Sequence, residues 1–199
     1  ESVPSEILNA AVKIQIFTEA GAEHASGLII GVNSGVVSII TAKHAIPDTA
    51  TQISLSQPHL SLPDTPRTYI ISQDSSPTKD VVVVKTNMTR PLKPLTLRPS
   101  GVLSGPFLNG VAFTPCTTPQ FHAIHTGFYL QGSELGKVQF AISQIGGIPG
   151  NSGAVLVDPE QHPCVLDAGS VTTATVFCIP LTEKDFEDLL LEMEEDERV

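Results

Sequence analysis

Apolar residues along most of the chain form short β-branched runs separated by turn residues. Valine and isoleucine dominate residues 36–40, and residues 81–84 are apolar at every position, as in a strand buried on both faces. The 15 glycines and 16 prolines interrupt such runs about every ten residues, a spacing typical of β-sandwiches and barrels. The pattern predicts an all-β body.

The C-terminal segment has a different period. Phe186, Leu189, Leu190 and Met193 recur at the i, i+3, i+4, i+7 spacing of a helix that packs one face on the body. Thr182 precedes several carboxylates, which suits a helix N-terminus. We therefore expect a C-terminal α-helix beginning after Thr182, with residues 194–199 frayed.

Charge excludes one class of partner. The formal net charge is −10, and nine of the 21 acidic residues lie within residues 183–198. Nucleic-acid binding needs basic patches that displace counterions, so a nucleic-acid partner is not expected. No apolar run is long enough to span a membrane, and we expect no signal peptide in this chain.

The cysteines are uninformative about catalysis. Cys116, Cys164 and Cys178 are odd in number and lack metal-ligand spacing, which predicts neither a disulfide scaffold nor a zinc site. We expect Cys164 and Cys178 to be buried free thiols, as in a reducing compartment. No metal or cofactor is expected, and the sequence assigns neither a cellular location nor an oligomeric state.

A serine between two glycines, in Gly150-Asn151-Ser152-Gly153, is the first candidate for chemistry. Glycines let a backbone approach a substrate closely and point its N–H groups inward, as an oxyanion hole requires. The same residues are also the commonest in ordinary turns, so the segment alone favours a hairpin. Ser152 becomes a candidate nucleophile only if a base and a carboxylate accompany it.

Two upstream residues supply them. His44 follows the β-branched run 36–42, and Asp80 stands at the start of the apolar run 81–84, where a charge needs a partner. The chain order His, Asp, Ser is that of chymotrypsin-type triads. We interpret His44, Asp80 and Ser152 as a catalytic set.

Other polar residues rank lower. Asp74 is read as part of a solvated loop, and Asp48 lies too near His44 in sequence to orient it across a cleft. His122 and His125 would lie on opposite faces of a strand. The remaining histidines, His24, His59 and His162, are placed in loops.

Five stretches together resemble chymotrypsin-fold serine proteases, closest to the HtrA/Deg-like branch. Residues 25–30 and 38–45 resemble the family's Gly-Ser-Gly and Thr-Ala-x-His strands. Residues 68–85 resemble the strands around its catalytic aspartate, residues 147–153 its Asn-Pro-Gly-Asn-Ser-Gly-Gly loop, and residues 176–181 its Phe-Ala-Ile-Pro strand. The resemblance extends from about residue 25 to residue 195 and is to the protease domain alone.

The resemblance implies an all-β, two-barrel chymotrypsin-like fold with a C-terminal α-helix. An N-terminal barrel (1–88, with a lead-in up to about residue 10) would carry His44 and Asp80, a linker would span 89–97, and a second barrel (98–181) would carry Ser152. Residues 182–199 would form the helix and acidic tail. The cleft between the barrels would hold the active site.

The resemblance also implies residue roles. Backbone N–H groups of Gly150 and Ser152 would form the oxyanion hole, and the substrate pocket would be lined by two short stretches: Gly146, Gly147, Ile148, Ala168, Gly169 and Ser170. Gly146 stands where an acidic residue would select Lys or Arg, so a small or medium uncharged P1 residue is expected. Asn151 cannot pair with a newly cut N-terminus, so activation by N-terminal trimming is not expected.

The predicted function is serine endopeptidase activity on polypeptide substrates. One alternative is a catalytically degenerate protease fold used as a binding module, because Ala154 replaces the glycine that usually follows Ser-Gly and would add a methyl group to the active-site wall. Another is a viral polyprotein-processing protease of the same fold. An α/β-hydrolase esterase is a third, disfavoured because position 154 is not glycine and few helices are predicted.

Overall fold

The computed structural model describes residues 3–103, 107–113, 121–127, 133–134, 137–141, 152–167 and 175–189. A short helix, α1, precedes thirteen strands, and residues 183–189 form a second helix, α2. The first elements are α1 (Ser5–Ala10), β1 (Ala11–Thr18), β2 (Gly21–Asn33), β3 (Val36–Ala42), β4 (Gln52–Ser56), β5 (Thr68–Ser75) and β6 (Val81–Asn87). The later strands are β7 (Phe107–Phe113), β8 (Phe121–Gly127), β9 (Ser133–Glu134), β10 (Lys137–Ala141), β11 (Val155–Val157), β12 (Pro163–Asp167) and β13 (Thr175–Pro180). The all-β prediction is confirmed.

Strands β1–β6 form a closed antiparallel barrel in the order β1-β2-β3-β6-β5-β4. Closure comes from β1, which pairs with β2 on one side and with β4 on the other. The barrel interior is aliphatic and includes Ile14, Ile39 and Val84. Because every strand has two partners, this unit has no free strand edge.

The apolar run in β6 is explained by burial on both of its faces. Val82 and Val84 point into the barrel interior, whereas Val81 and Val83 belong to a second cluster that also contains residues of strands β7, β11, β12 and β13. The alternation of side chains along a strand therefore places one face of β6 in the barrel and the other against the second β unit. We call this second cluster the shared core.

The later strands form a seven-stranded sheet in the order β8-β7-β11-β12-β13-β10-β9. Val155 and Val165 face the shared core, while Leu156, Cys164 and Leu166 form the unit's own apolar cluster with neighbouring residues. Cys164 and Cys178 are buried, as predicted. Cys116 falls in a stretch that the structure leaves undescribed.

Both helices pack against the shared core. Ile7 and Ala10 of α1, in the segment expected to be a lead-in, are buried in the shared core. Helix α2 begins after Thr182, whose Oγ1 accepts the Asp185 N–H at 3.1 Å while Asp185 Oδ2 accepts the Thr182 N–H at 2.9 Å. This reciprocal pair is a capping box, and it confirms the predicted helix start. Leu189 anchors the helix in the shared core.

Residues 88–103 connect the two β units without helix or strand. Leu92, Leu95 and Leu97 are buried along this path, and the Leu95 N–H donates to the Ile29 carbonyl at 2.9 Å. The predicted linker at 89–97 lies within it, although the proposed domain boundaries remain a prediction. Among the described helices, neither is long and apolar enough to cross a membrane.

Candidate active site

His44 and Asp80 come together because their strands are neighbours. In the antiparallel β3–β6 pair, Ala42 stands opposite Val81, so the end of β3 lies beside the start of β6. A single 3₁₀ turn, Lys43–Ala45, follows β3 and carries His44, while Asp80 immediately precedes β6. The Lys43 N–H donates to the Asp80 carbonyl at 3.2 Å, which joins the two segments through their backbones.

Both carboxylate oxygens of Asp80 are directed at His44. Oδ1 accepts the His44 backbone N–H at 2.8 Å, and Oδ2 lies 2.5 Å from the imidazole Nδ1. An ionised carboxylate only accepts hydrogen bonds, so the proton of this pair belongs to Nδ1. The other ring nitrogen, Nε2, is then left as an acceptor in the neutral imidazole.

Ser152 completes the arrangement from the second β unit. Its Oγ lies 3.1 Å from His44 Nε2, within hydrogen-bonding reach, although 108 residues separate the two in the sequence. Ser152 is largely buried, whereas 43% of the His44 side chain is exposed. The result is a continuous path from carboxylate to imidazole to hydroxyl.

The backbone around Ser152 is fixed on both sides. The Ser152 carbonyl accepts the N–H of Ser26 at 3.0 Å, and the Gly153 N–H donates to the Leu166 carbonyl at 2.9 Å. Gly153 has φ +91°, and a Cβ there would lie 2.0 Å from Thr41 Oγ1 and 2.2 Å from the Ser26 carbonyl. Only glycine fits this close approach of the serine loop to the barrel.

Ser26 and Thr41 support the serine loop, and sequence analysis gave neither a role. Thr41 Oγ1 donates to the Ser26 carbonyl at 2.7 Å, and Ser26 Oγ accepts the Phe113 N–H at 2.9 Å. Strand β2 is thereby joined to β3 and to β7 of the second unit. In the sequence, the one indication of this role was that Ser26, a small residue, stands beside Gly27, at a place where two backbones approach.

Chemically, this geometry suits nucleophilic catalysis. A serine hydroxyl is a weak nucleophile unless an adjacent base removes its proton. Neutral His44 Nε2 is positioned to accept that proton, and the Asp80 carboxylate can stabilise the resulting imidazolium.

The predicted oxyanion and substrate-binding residues are not all placed. Ser152 is described, but its proposed oxyanion partner Gly150 belongs to a stretch for which no structure is described. The same holds for the predicted pocket residues Gly146, Gly147, Ile148, Ala168, Gly169 and Ser170, and for Asn151. Their roles remain predictions from the sequence.

The expectation for Ala154 is wrong. Its side chain is fully buried and packs in the apolar cluster of the second unit with Leu156 and Cys164. Ala154 directly precedes β11, and Leu156, two positions further along and on the same face, packs in the same cluster. Its methyl group therefore fills core volume and does not narrow the active site.

Two of the lower-ranked residues differ from expectation. His24 lies within β2 and Asp74 within β5, so neither is in a loop. His162 lies in the β11–β12 turn, where its Nδ1 is 2.9 Å from Asp158 Oδ2. Asp48 is exposed and accepts from Lys43 Nζ at 2.8 Å, a hydrogen bond that lowers the pKa of its carboxyl. The contacts of His162 and Asp48 are structural.

His59, His122 and His125 complete the set. His59 occupies a single 3₁₀ turn, Pro58–Leu60, and its Nε2 donates to the Leu8 carbonyl at 2.6 Å. His122 and His125 lie three positions apart in β8. Their place in a strand is as the sequence predicted, and the opposite orientation of their side chains remains a prediction.

Comparison with known proteins identifies the fold. No protein-family model and no curated protein sequence matches the chain. Among solved structures, the chain is similar to the thermostable serine protease AL20 from an extremophilic microorganism, with TM-score 0.64 and 12% identity, covering 95% of this chain and 98% of that one.

Two further structures are similar over most of this chain. The serine protease of a human pathogenic astrovirus has TM-score 0.61 and 17% identity, covering 90% of this chain and 93% of that one. The HtrA-type protease AlgW, solved with a tripeptide, has TM-score 0.65 and 19% identity, covering 92% of this chain and 60% of that one. The chain therefore has the chymotrypsin-like serine protease fold, which confirms the predicted fold class.

Proposed function

We propose that this protein is a serine endopeptidase that cleaves polypeptides through Ser152, His44 and Asp80. The observation that carries the proposal is the hydrogen-bonded path from Asp80 Oδ2 through both imidazole nitrogens to Ser152 Oγ, with steps of 2.5 and 3.1 Å. A structural histidine needs one such partner. A path that ends on a serine hydroxyl is what base-assisted acyl transfer requires.

Each residue has one role in the proposed reaction. Ser152 Oγ attacks the scissile carbonyl while His44 takes its proton, and a tetrahedral intermediate forms. His44 then gives that proton to the leaving amine, which leaves an acyl-enzyme on Ser152. Water attacks the acyl-enzyme while His44 takes a proton from the water, and His44 returns that proton to Ser152 Oγ. Asp80 keeps Nδ1 protonated throughout, so that Nε2 faces the serine.

The oxyanion and the substrate pocket belong to the finer part of the proposal. Backbone N–H groups of Gly150 and Ser152 would stabilise the developing oxyanion, each contributing roughly 3 kcal/mol. The stretches 146–148 and 168–170 would hold a small or medium uncharged P1 side chain. Profiling a peptide library tests this preference, and dominant cleavage after Lys or Arg would reject it.

Two alternatives lose their support. The binding-module alternative rested on a methyl group in the active-site wall, but Ala154 is buried in the core. The esterase alternative requires a parallel sheet covered by helices, whereas the described strands form an antiparallel barrel and sheet. The astrovirus protease and AlgW are similar to this chain to nearly the same degree. The comparison therefore does not favour a viral over a cellular setting.

A fluorophosphonate probe tests the proposed activity directly. We expect the probe to label the wild-type protein at Ser152 and to fail to label the Ser152→Ala and His44→Ala variants. Ser54→Ala is a matched control, because Ser54 is another buried serine, on β4. A correctly folded wild-type protein that is neither labelled nor active on a peptide library would exclude the proposal.

A further inference from the structure

Lys79, the residue immediately before Asp80, joins the first barrel to the second half of the chain. Its Nζ donates to Asp185 Oδ2 at 2.5 Å and to the Pro180 carbonyl at 3.0 Å, spanning 106 and 101 residues. Pro180 ends β13, and Asp185 lies in the first turn of α2. One ammonium group therefore contacts both the last strand and the last described helix.

The Lys79–Asp185 pair is well shielded from solvent. Only 16% of the Lys79 side chain and 8% of the Asp185 side chain are exposed. Burial raises the pKa of Asp185, but hydrogen bonds from Lys79 and Thr182 outweigh it and hold the pKa below its usual value. A pair buried to this extent is costly to break, because removal of one partner leaves the other charged and uncompensated.

The backbone transmits the position of Lys79 to Asp80. The Lys79 carbonyl accepts the Val81 N–H at 2.8 Å across a three-residue turn centred on Asp80, and the Lys79 N–H donates to Ser76 Oγ at 3.1 Å. A shift of the Lys79 backbone would therefore change the orientation of the two peptide units that flank Asp80. The 2.5 Å contact between Asp80 and His44 depends on that orientation.

The Lys79–Asp185 ion pair also fixes the direction of the Lys79 ammonium group. A Lys79 ammonium without Asp185 would be a flexible cation one residue from the Asp80 carboxylate. It could then compete with the His44 imidazole for that carboxylate. Engagement with Asp185 and Pro180 directs this cation away, toward the helix.

We infer that Lys79 and Asp185 are positioning residues for the proposed triad: their ion pair fixes Asp80 and makes the orientation of His44 depend on the docking of helix α2. This inference rests on the proposed endopeptidase function. It assigns no contact with substrate to either residue. The inference implies that the turnover rate depends on the first turn of α2, although this turn contributes no catalytic group.

Kinetics per active site provide the first test. Active sites are counted by fluorophosphonate titration, so that unfolded protein does not enter kcat. We expect Lys79→Met and Asp185→Asn to lower kcat roughly 10- to 100-fold, the effect of a small misplacement of a catalytic group, with KM changed less than about twofold. Lys79→Arg keeps the charge and is expected to recover most of the loss.

Two controls separate positioning from stability. Asp48→Asn removes the exposed ion pair with Lys43 and is expected to leave kcat unchanged. Ile53→Val weakens the barrel interior far along the chain from the pair and should lower stability without lowering kcat per active site. If Lys79→Met folds poorly, the double variant Lys79→Met/Asp185→Asn removes both charges, and it is expected to restore folding but not kcat.

A second readout does not depend on turnover. The proton between His44 Nδ1 and Asp80 Oδ2 lies in a short charge-assisted hydrogen bond and should give a strongly deshielded ¹H NMR signal. We expect this signal in the wild-type protein and its loss or broadening in Lys79→Met and in Asp185→Asn. A wild-type protein that shows the signal but has no peptidase activity would refute the proposed function while leaving this test valid. Variants that keep both the signal and kcat, and lose only stability, would overturn the inference.

Discussion

Ser26 and Ser152 are joined by a backbone hydrogen bond of 3.0 Å from the amide of Ser26 to the carbonyl of Ser152. The residue that carries the proposed nucleophile is thus fastened to β2 of the barrel that carries its base. Thr41, three positions before His44, holds the same segment of β2 through its hydroxyl at 2.7 Å. The 3.1 Å distance between Ser152 Oγ and His44 Nε2 is therefore fixed by these hydrogen bonds through Ser26 and Thr41.

Gly153→Ala tests how closely the serine loop must approach the barrel. The added Cβ would overlap Thr41 Oγ1 and the Ser26 carbonyl, and φ +91° is strained for alanine. We expect the free energy of unfolding to fall by about 2–4 kcal/mol. Fluorophosphonate labelling of Ser152 should fall as well, because the overlap displaces the loop from His44. Urea denaturation and the labelling rate measure the two effects.

Gly35→Ala is the matched control for that variant. Gly35 also has a positive φ, +80°, but a Cβ there would meet nothing within 4 Å. Only backbone strain remains, so we expect a loss of about 1 kcal/mol and unchanged labelling. Equal effects of the two substitutions would show that the close contact at Gly153 is unimportant.

Asp80→Asn tests the role of the carboxylate. The amide keeps the shape of the side chain, but it allows the imidazole to take the tautomer whose Nε2 is protonated and cannot accept the serine proton. We expect kcat to fall by about 10⁴-fold at neutral pH, with little change in KM. Steady-state kinetics on a cleaved peptide measure this. A loss below tenfold would mean that Asp80 does not orient His44.

Ala154→Gly distinguishes a core position from a wall of the active site. The methyl group is buried with Leu156, Cys164 and Leu166. Its removal should lower the free energy of unfolding by about 1–2 kcal/mol, through lost burial and added backbone freedom. Turnover per titrated active site should stay the same. A several-fold rise in kcat would instead place the methyl group at the cleft.

His59 predicts a pH dependence of stability. Its imidazole packs on the Phe113 ring with centroids 5.4 Å apart, and burial lowers the pKa of His59 below 6.5, although the hydrogen bond to the Leu8 carbonyl opposes this shift. The unfolded chain therefore binds more protons than the folded chain near this pH. Stability is fully present above pH 6.5 and is lost as the pH falls toward the lowered value.

The variant His59→Gln isolates that contribution. Glutamine retains an N–H donor for the Leu8 carbonyl but does not titrate. Urea midpoints measured between about pH 7 and pH 5 should fall less steeply in the variant than in the wild-type protein. Some slope should remain, because burial and Lys13 also lower the pKa of His24. Identical slopes would show that His59 does not contribute.

The elements that sequence predicted well are those whose signal is local. The run 81–84 identified a strand with two buried faces, and Thr182 with its following carboxylates identified the start of α2. His44, Asp80 and Ser152 stood out through residue type and chain order, and the structure brings their side chains together.

Misassignments arose where tertiary pairing overrides local preference. His24 and Asp74 lie in polar stretches that resemble loops, yet both occupy strands of the barrel wall, paired with β1 and β6. The Lys79–Asp185 pair had no local signal at all. Lys79 meets Asp185 across 106 residues, and no pattern within a short window connects them.

The distribution of the site along the chain determines when it can exist. A ribosome that has completed the first barrel has already made His44 and Asp80, but the hydroxyl that His44 contacts lies 108 residues beyond that histidine. The Asp185 partner of Lys79 is added later still. On the proposed function, a nascent chain that ends before Ser152 has no nucleophile and cannot hydrolyse a peptide bond, and one that ends before Asp185 lacks the ion pair that we infer positions Asp80.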